Sequence, residues 1–312
     1  MRSLLPEKQL PLPPADPQQT LAWEDAHRWK AAYCAWAAAI LTVVGAVITS
    51  LALSGLPSFN GSLVTAPDAM RDLLSGQPIP PGRIALQAEW LSSQLTLPII
   101  GTVLYGLGSL LIFGPVVFLF KATRARNPDF GQATLIAAAF GAVAFAVGRM
   151  VAQLTYYLGI ASFDGGNNLQ ATEALSGGPF FAGQLIWQLG SFALGLAFVM
   201  LGLNAMRVGL LSRFMGALAM IVGVTFILPL DQQGLLRAFW LALIGLVFIM
   251  RWPGGKTPPA WSSGKPEPWP SMAARRGESA AGGSAAHTPA PRLPQQAGNG
   301  SGDLRKKRKR KS

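Results

Sequence analysis

The sequence predicts an all-α, polytopic membrane protein with six transmembrane helices, arranged as three tandem helical hairpins. Three observations carry that prediction. Only 13% of the 312 residues are charged and 50% are hydrophobic, against about 25% charged in ordinary soluble domains. Six long apolar runs recur along the chain. Short motifs repeat between the runs and between the loops that follow them.

The runs are Ala31–Ser54, Leu95–Phe120, Ala133–Leu158, Pro179–Asn204, Phe214–Leu230 and Leu235–Met250. A bilayer core of roughly 30 Å is crossed by about 20 apolar residues in a helix. One such run could be a buried core helix, but six in a chain this poor in charge point to a membrane. The first run is too long for the 7–15-residue apolar core of a cleavable signal peptide. It reads as a signal anchor that stays as the first span.

Lys and Arg set the orientation. The segment before the first run, the second-to-third and fourth-to-fifth connections and the tail together hold 22 of them, while the opposite loops hold only Arg71 and Arg83. Both termini are therefore expected in the cytoplasm of a bacterial cell, with the chain in its inner membrane. On this reading residues 1–30 are a Pro-rich cytoplasmic segment and 31–251 the transmembrane domain. Residues 252–271 form a Trp/Pro-rich juxtamembrane segment and 272–312 a disordered cytoplasmic tail.

The repeats lie at matching places. "SGLPSFNG" from Ser54 aligns with "LGIASFDG" from Leu158 at an offset of 104, and "LLSGQP" (73–78) with "ALSGGP" (174–179). "LGS" occurs at 107–109 and 189–191, and "LGLAFVM" (194–200) resembles "IGLVFIM" (244–250). Three hairpins of one orientation account for this; the alternative is chance agreement among Leu, Gly and Phe, preferred for the span matches alone but not for the loop matches. The first outer loop differs by the insertion 83–94, whose Ile84, Leu86, Trp90 and Leu91 have partial helical spacing and suit a short interfacial helix. Glycines 101, 106, 108, 114, 141, 148, 190 and 195 mark close helix packing. Pro98 and Pro115 are expected to kink the second span.

Polar residues inside the runs are few. Arg149 and Gln153 are four apart, as are Gln184 and Gln188, so each pair shares a helix face. The orientation puts all four in the outer third of the membrane, near Tyr105, Tyr156, Tyr157 and Trp187. They form one candidate cluster, an outward-facing pocket for an anionic or polar ligand. The plainer reading, preferred on sequence alone, has Arg149 snorkelling to the outer headgroups while the glutamines bond between helices.

No carboxylate lies within a span core, which argues against a proton-coupled pump. The single cysteine, Cys34, and the two histidines, His27 and His287, offer no metal or catalytic constellation. "GGKT" (254–257) lacks the first glycine and the flanking helix of a phosphate-binding loop. A non-enzymatic protein without metal or cofactor is expected.

Seven basic residues close the tail: Arg305, Lys306, Lys307, Arg308, Lys309, Arg310 and Lys311. They have no interleaved aromatics for base stacking, so sequence-specific nucleic-acid binding is not expected. The expected partners are the bilayer itself and anionic lipid headgroups or another polyanion. Upstream, Trp252, Trp261 and Trp269 alternate with prolines and suit the headgroup layer, the alternative being a solvated linker.

"LNAMRVGLLSRFMGALAMIVGV" (203–224), followed by "RWPGGKTPPAW" and "PWPS", resembles a group of uncharacterised multi-pass membrane proteins of high-GC bacteria. The resemblance covers about residues 30–271. It implies an integral membrane protein and carries no activity, substrate or catalytic residue. Two functions remain open. The leading expectation is a structural or interaction protein with a polyanion-binding tail. The other is a small transporter or channel with a polar site in the outer half of the bundle.

Overall fold

The computed structural model describes residues 16–56, 66–76, 81–252 and 257–267, without the side chains of 66–69. The basic run Arg305–Lys311, the rest of the tail, Trp269 and residues 57–61 of the first repeat lie outside the described residues. Among the described residues every regular element is a helix.

In chain order these are α1 (Pro17–Ser54), α2 (Ala66–Leu74), α3 (Arg83–Ser92), α4 (Thr96–Leu111), α5 (Phe113–Arg126) and α6 (Ala133–Ala161). Then come α7 (Asn168–Leu175), α8 (Gly178–Arg207), α9 (Arg213–Ile227), α10 (Leu235–Phe248) and the single turn α11 (Ala260–Ser263). Four helices are long and apolar enough to cross a membrane: α1, α4 with α5, α6 and α8, of 38, 31, 29 and 30 residues. The last two expected spans are shorter. α9 has 15 residues and α10 has 14, about 22 Å of helix at 1.5 Å per residue.

Helix α1 starts well before the expected Ala31, because its first turns have structural reasons to be helical. Asp16 caps it, accepting from the Gln18 backbone N–H at 3.1 Å, and Pro17 holds the first helical position. Thr20 and Glu24 are then buried against the bundle. Pro115 acts where a proline should. It lacks an N–H and its ring crowds the carbonyl four residues back, at Leu111. The helix is interrupted at Ile112, between α4 and α5.

Helix α1 packs on α4 and α10, α4 on α6, α6 on α8 and α8 on α9, and α9 meets α10 only lightly. The neighbours therefore follow one another round a closed circuit. Glycines set the two main crossings. A Cβ on Gly45 would lie 2.7 Å from the Gly101 carbonyl oxygen and the Tyr105 N, and one on Gly183 would lie 2.5 Å from the Ala152 N. The two crossings match residue for residue. Thr42, Gly45 and Thr49 of α1 stand to Gly101, Tyr105 and Gly108 of α4 as Phe145, Gly148 and Ala152 of α6 stand to Gly183, Trp187 and Gly190 of α8. The offset is 103 along α1 and α6, one less than in the loops, and 82 along α4 and α8.

The two ends are closed differently. At one end the insertion folds as α3, as its spacing suggested, and packs on α7 and the end of α6. The Asn168 side chain caps it, accepting from the Ile84 and Ala85 N–H groups at 3.0 and 3.1 Å. At the other end Arg126 grips the Glu24 carboxylate with both Nη atoms, and both side chains are fully buried. Arg126 also donates to the carbonyls of Ala122 and Ala260.

For Trp261 the expected headgroup placement is corrected. Trp261 is only 2% exposed. Its ring stacks on Phe118 at 5.8 Å and its Nε1 donates to the Leu210 carbonyl at 2.8 Å. Trp252 packs against the same core. A buried acceptor for the indole N–H makes Trp261 a core residue rather than an interfacial one.

Candidate functional site

A cavity of about 250 Å³ opens between α4, α6, α8 and the α9–α10 hairpin. Each wall follows from local structure. Tyr105 stands on α4. Phe145, Arg149 and Gln153 recur at spacing four on α6, one stripe of the helix. Gln184, Trp187 and Ser191 recur at three and four on α8, and Thr225 and Phe226 close α9.

The remaining wall is the connection 228–234, in which Gly234 is buried and Asp231 half-buried while the other five residues are exposed. Pro229, Asp231 and Gln232 line the space. Gly234 lets the chain turn into α10 with φ of 72°, a left-handed conformation that costs a glycine little. A Cβ there would also overlap the Arg237 guanidinium and sit 2.7 Å from the Thr42 methyl.

That turn delivers Arg237, which is 3% exposed. Its Nη2 donates to the Tyr105 hydroxyl at 2.5 Å, and that hydroxyl donates to the Gln232 carbonyl at 3.3 Å. The guanidinium lies among three rings, with Cζ 5.1, 5.3 and 5.0 Å from the centroids of Tyr105, Phe145 and Phe226. Arg149 approaches from α6 and lies over the Tyr105 and Trp187 rings at 4.4 and 5.7 Å. Tyr105 thus carries a cation near its ring from two helices.

The charges are incompletely matched. Among the described residues no carboxylate lies within 4.0 Å of either guanidinium. Asp231 lines the cavity, but its Oδ2 accepts from the Arg237 backbone N–H at 3.1 Å. Two guanidiniums and one carboxylate leave the cavity one net positive charge. Donors are also left over: the buried Arg237 Nε and Trp187 Nε1 have no hydrogen-bond partner among the described residues.

Three of the four residues expected to cluster do so, since Arg149, Gln153 and Gln184 share the cavity. Gln188 does not, and is exposed on the outer side of α8. Helical geometry explains the loss. The cavity face of α8 runs through 184, 187 and 191, and at about 100° per residue position 188 falls at its edge, about 65° from the centre. The Arg149 guanidinium lies against rings of α4 and α8.

Sequence reasoning missed Arg237 and Asp231 as site residues. Both sit at the edge of an apolar run, where a charge looks like a boundary. No family model, no curated protein and no solved structure matches the chain.

Proposed function

We propose that this is an integral membrane protein of transporter or channel type that binds a small anion in the Arg149–Arg237 cavity. The observation that carries the reading is the buried Arg237 guanidinium. An ion taken out of water is costly unless it is paired. Arg237 has one hydroxyl and three aromatic faces, and a second guanidinium faces the same space. A bound anion supplies the missing counter-charge.

The size favours a small ligand, since about 250 Å³ is below the 300–1,000 Å³ usual for drug-sized molecules. A carboxylate with a short apolar body suits a space in which guanidiniums and the Phe145 and Phe226 rings stand side by side. The role is binding and passage, not catalysis. A dry bundle would have favoured the scaffold reading, and this bundle holds a polar space.

The membrane reading extends to depth and topology. Arg149 lies 16 residues after Ala133 and 12 before Ala161, which supports a site near mid-membrane rather than in the outer third. Both termini lie in the cytoplasm of an inner-membrane protein, as the distribution of Lys and Arg supports. The α9–α10 hairpin enters from the cytoplasmic side and turns at the cavity. This favours four full crossings plus a half-depth hairpin over six crossings. The matched glycine crossings support a duplication of the first two hairpins, with α9 and α10 outside it.

Calorimetry on the full chain in detergent tests the proposal, with acetate, butyrate, benzoate and inorganic phosphate as probes. Saturable binding of at least one probe, lost in Arg237→Gln, is expected. Absence of binding to every probe in the folded protein would return the chain to a structural role.

A further inference from the structure

We infer that the groove between the first turns of α1 and helix α5 is a specific site for one anionic phospholipid. It shares no lining residue with the cavity and is independent of that reading. The groove encloses about 180 Å³ between Trp23, His27, Lys30 and Cys34 on one side and Gly114 and Lys121 on the other.

Its charge is uncompensated. The two acidic residues nearest in the chain, Glu24 and Asp25, are engaged by Arg126 and Arg28. Among the described residues no carboxylate lies within 4.0 Å of the Lys30 or Lys121 ammonium. Both lysines are exposed. Lys121 stands 5.6 Å from the Trp23 ring centroid, which holds its ammonium at the mouth of the groove. Two free cations from two helices therefore flank one opening.

The floor is apolar and exists because residue 114 is a glycine. A Cβ there would lie 2.9 Å from the Cys34 Cβ, closing the space between the helices. The floor continues from the lysines toward Cys34 and Gly114, into the most apolar stretch of α1. A headgroup phosphate between Lys30 and Lys121 would thus lead an acyl chain into the groove, an arrangement that free phosphate cannot use.

The depth agrees with a headgroup. On α1 beside the groove, Trp29 is 49% and Tyr33 59% exposed, and large aromatics outside a bundle favour the headgroup layer. Basic pockets between helices on the cytoplasmic side suit anionic headgroups. The site differs from the expected role of Arg305–Lys311, which needs only a charged surface. This one selects headgroup and chain together.

Native mass spectrometry of the full chain, delipidated in detergent and titrated with phosphatidylglycerol, tests the inference. A one-lipid adduct is expected with phosphatidylglycerol and not with phosphatidylcholine. Each lysine near an anionic headgroup contributes roughly fivefold, so the Lys30→Gln/Lys121→Gln double variant should bind about thirtyfold more weakly. Val117→Trp, which fills the groove from its half-exposed wall, should lose the adduct with both lysines in place. Glycerol 3-phosphate, which has no acyl chain, should not compete at millimolar concentration. The inference is overturned by equal binding of phosphatidylcholine, by an unchanged adduct in either variant, or by competition from glycerol 3-phosphate.

Discussion

Arg237, at the start of α10, donates to the Tyr105 hydroxyl in the middle of α4 at 2.5 Å. That bond joins the α9–α10 hairpin to the first hairpin, and it is the Arg237 side chain's single hydrogen bond among the described residues. Removing it leaves a buried guanidinium with aromatic faces alone. Tyr105→Phe keeps both cation–ring contacts and deletes the acceptor. An unsatisfied buried donor costs about 1–3 kcal/mol, and more on a charged group. Thermal unfolding in detergent should show a loss of that order, and saturating anion should recover part of it. An unchanged midpoint would mean that water already satisfies Arg237.

Arg149→Lys separates a stacked guanidinium from a snorkelling charge. A lysine retains the charge but not the flat face that lies 4.4 Å from the Tyr105 centroid. Cation–ring contacts contribute about 0.5–2 kcal/mol. Anion affinity in the lysine variant should fall about tenfold or more while the protein stays folded. Full retention of binding would return Arg149 to a passive role.

What was legible in the sequence followed from periodicity and composition. The long helices α1, α4 with α5, α6 and α8 were visible because lipid demands uninterrupted apolar residues. The Gly108/Gly190 match was visible because glycine is the residue that close crossings require. The early start of α1 was hidden, since Glu24, Asp25, Arg28 and Lys30 look like soluble sequence. Only the fold shows that Glu24 meets Arg126. Trp261 was hidden by its prolines, which suggest an extended interfacial strand while the ring fills the core. Arg237 was hidden because a charge one turn into a short run resembles its border. Partners far apart in the chain decide each of these cases, and local pattern does not contain them.

The matched crossings make a paired prediction. Gly45→Ala and Gly183→Ala each place a methyl against backbone at 2.7 and 2.5 Å, where no rotamer can relieve the clash. Overpacking of this kind costs about 1–3 kcal/mol or more. Both variants should unfold at lower temperature than the parent. Gly131→Ala is the control, since a Cβ there has nothing within 4 Å, and it should match the parent. Equal midpoints for all three would break the claim that these glycines set the helix spacing.

The Glu24–Arg126 pair gives the sharpest stability test, because both partners are fully buried. Removing one partner of a buried pair strands the other's charge, at a cost of about 3–5 kcal/mol. Arg126→Met should therefore destabilise strongly by leaving the Glu24 carboxylate unpaired and freeing the Ala260 carbonyl. Glu24→Gln should be milder, since Arg126 keeps its bonds to the Ala122 and Ala260 carbonyls. The double variant, with no charge left to bury, should be more stable than the sum of the singles predicts, by about 1–3 kcal/mol of coupling. Unfolding midpoints of the four proteins measure that coupling. Simple additivity would show that the pair is solvated in the membrane-embedded protein, and that the turn at Ala260 is held by Trp261 alone.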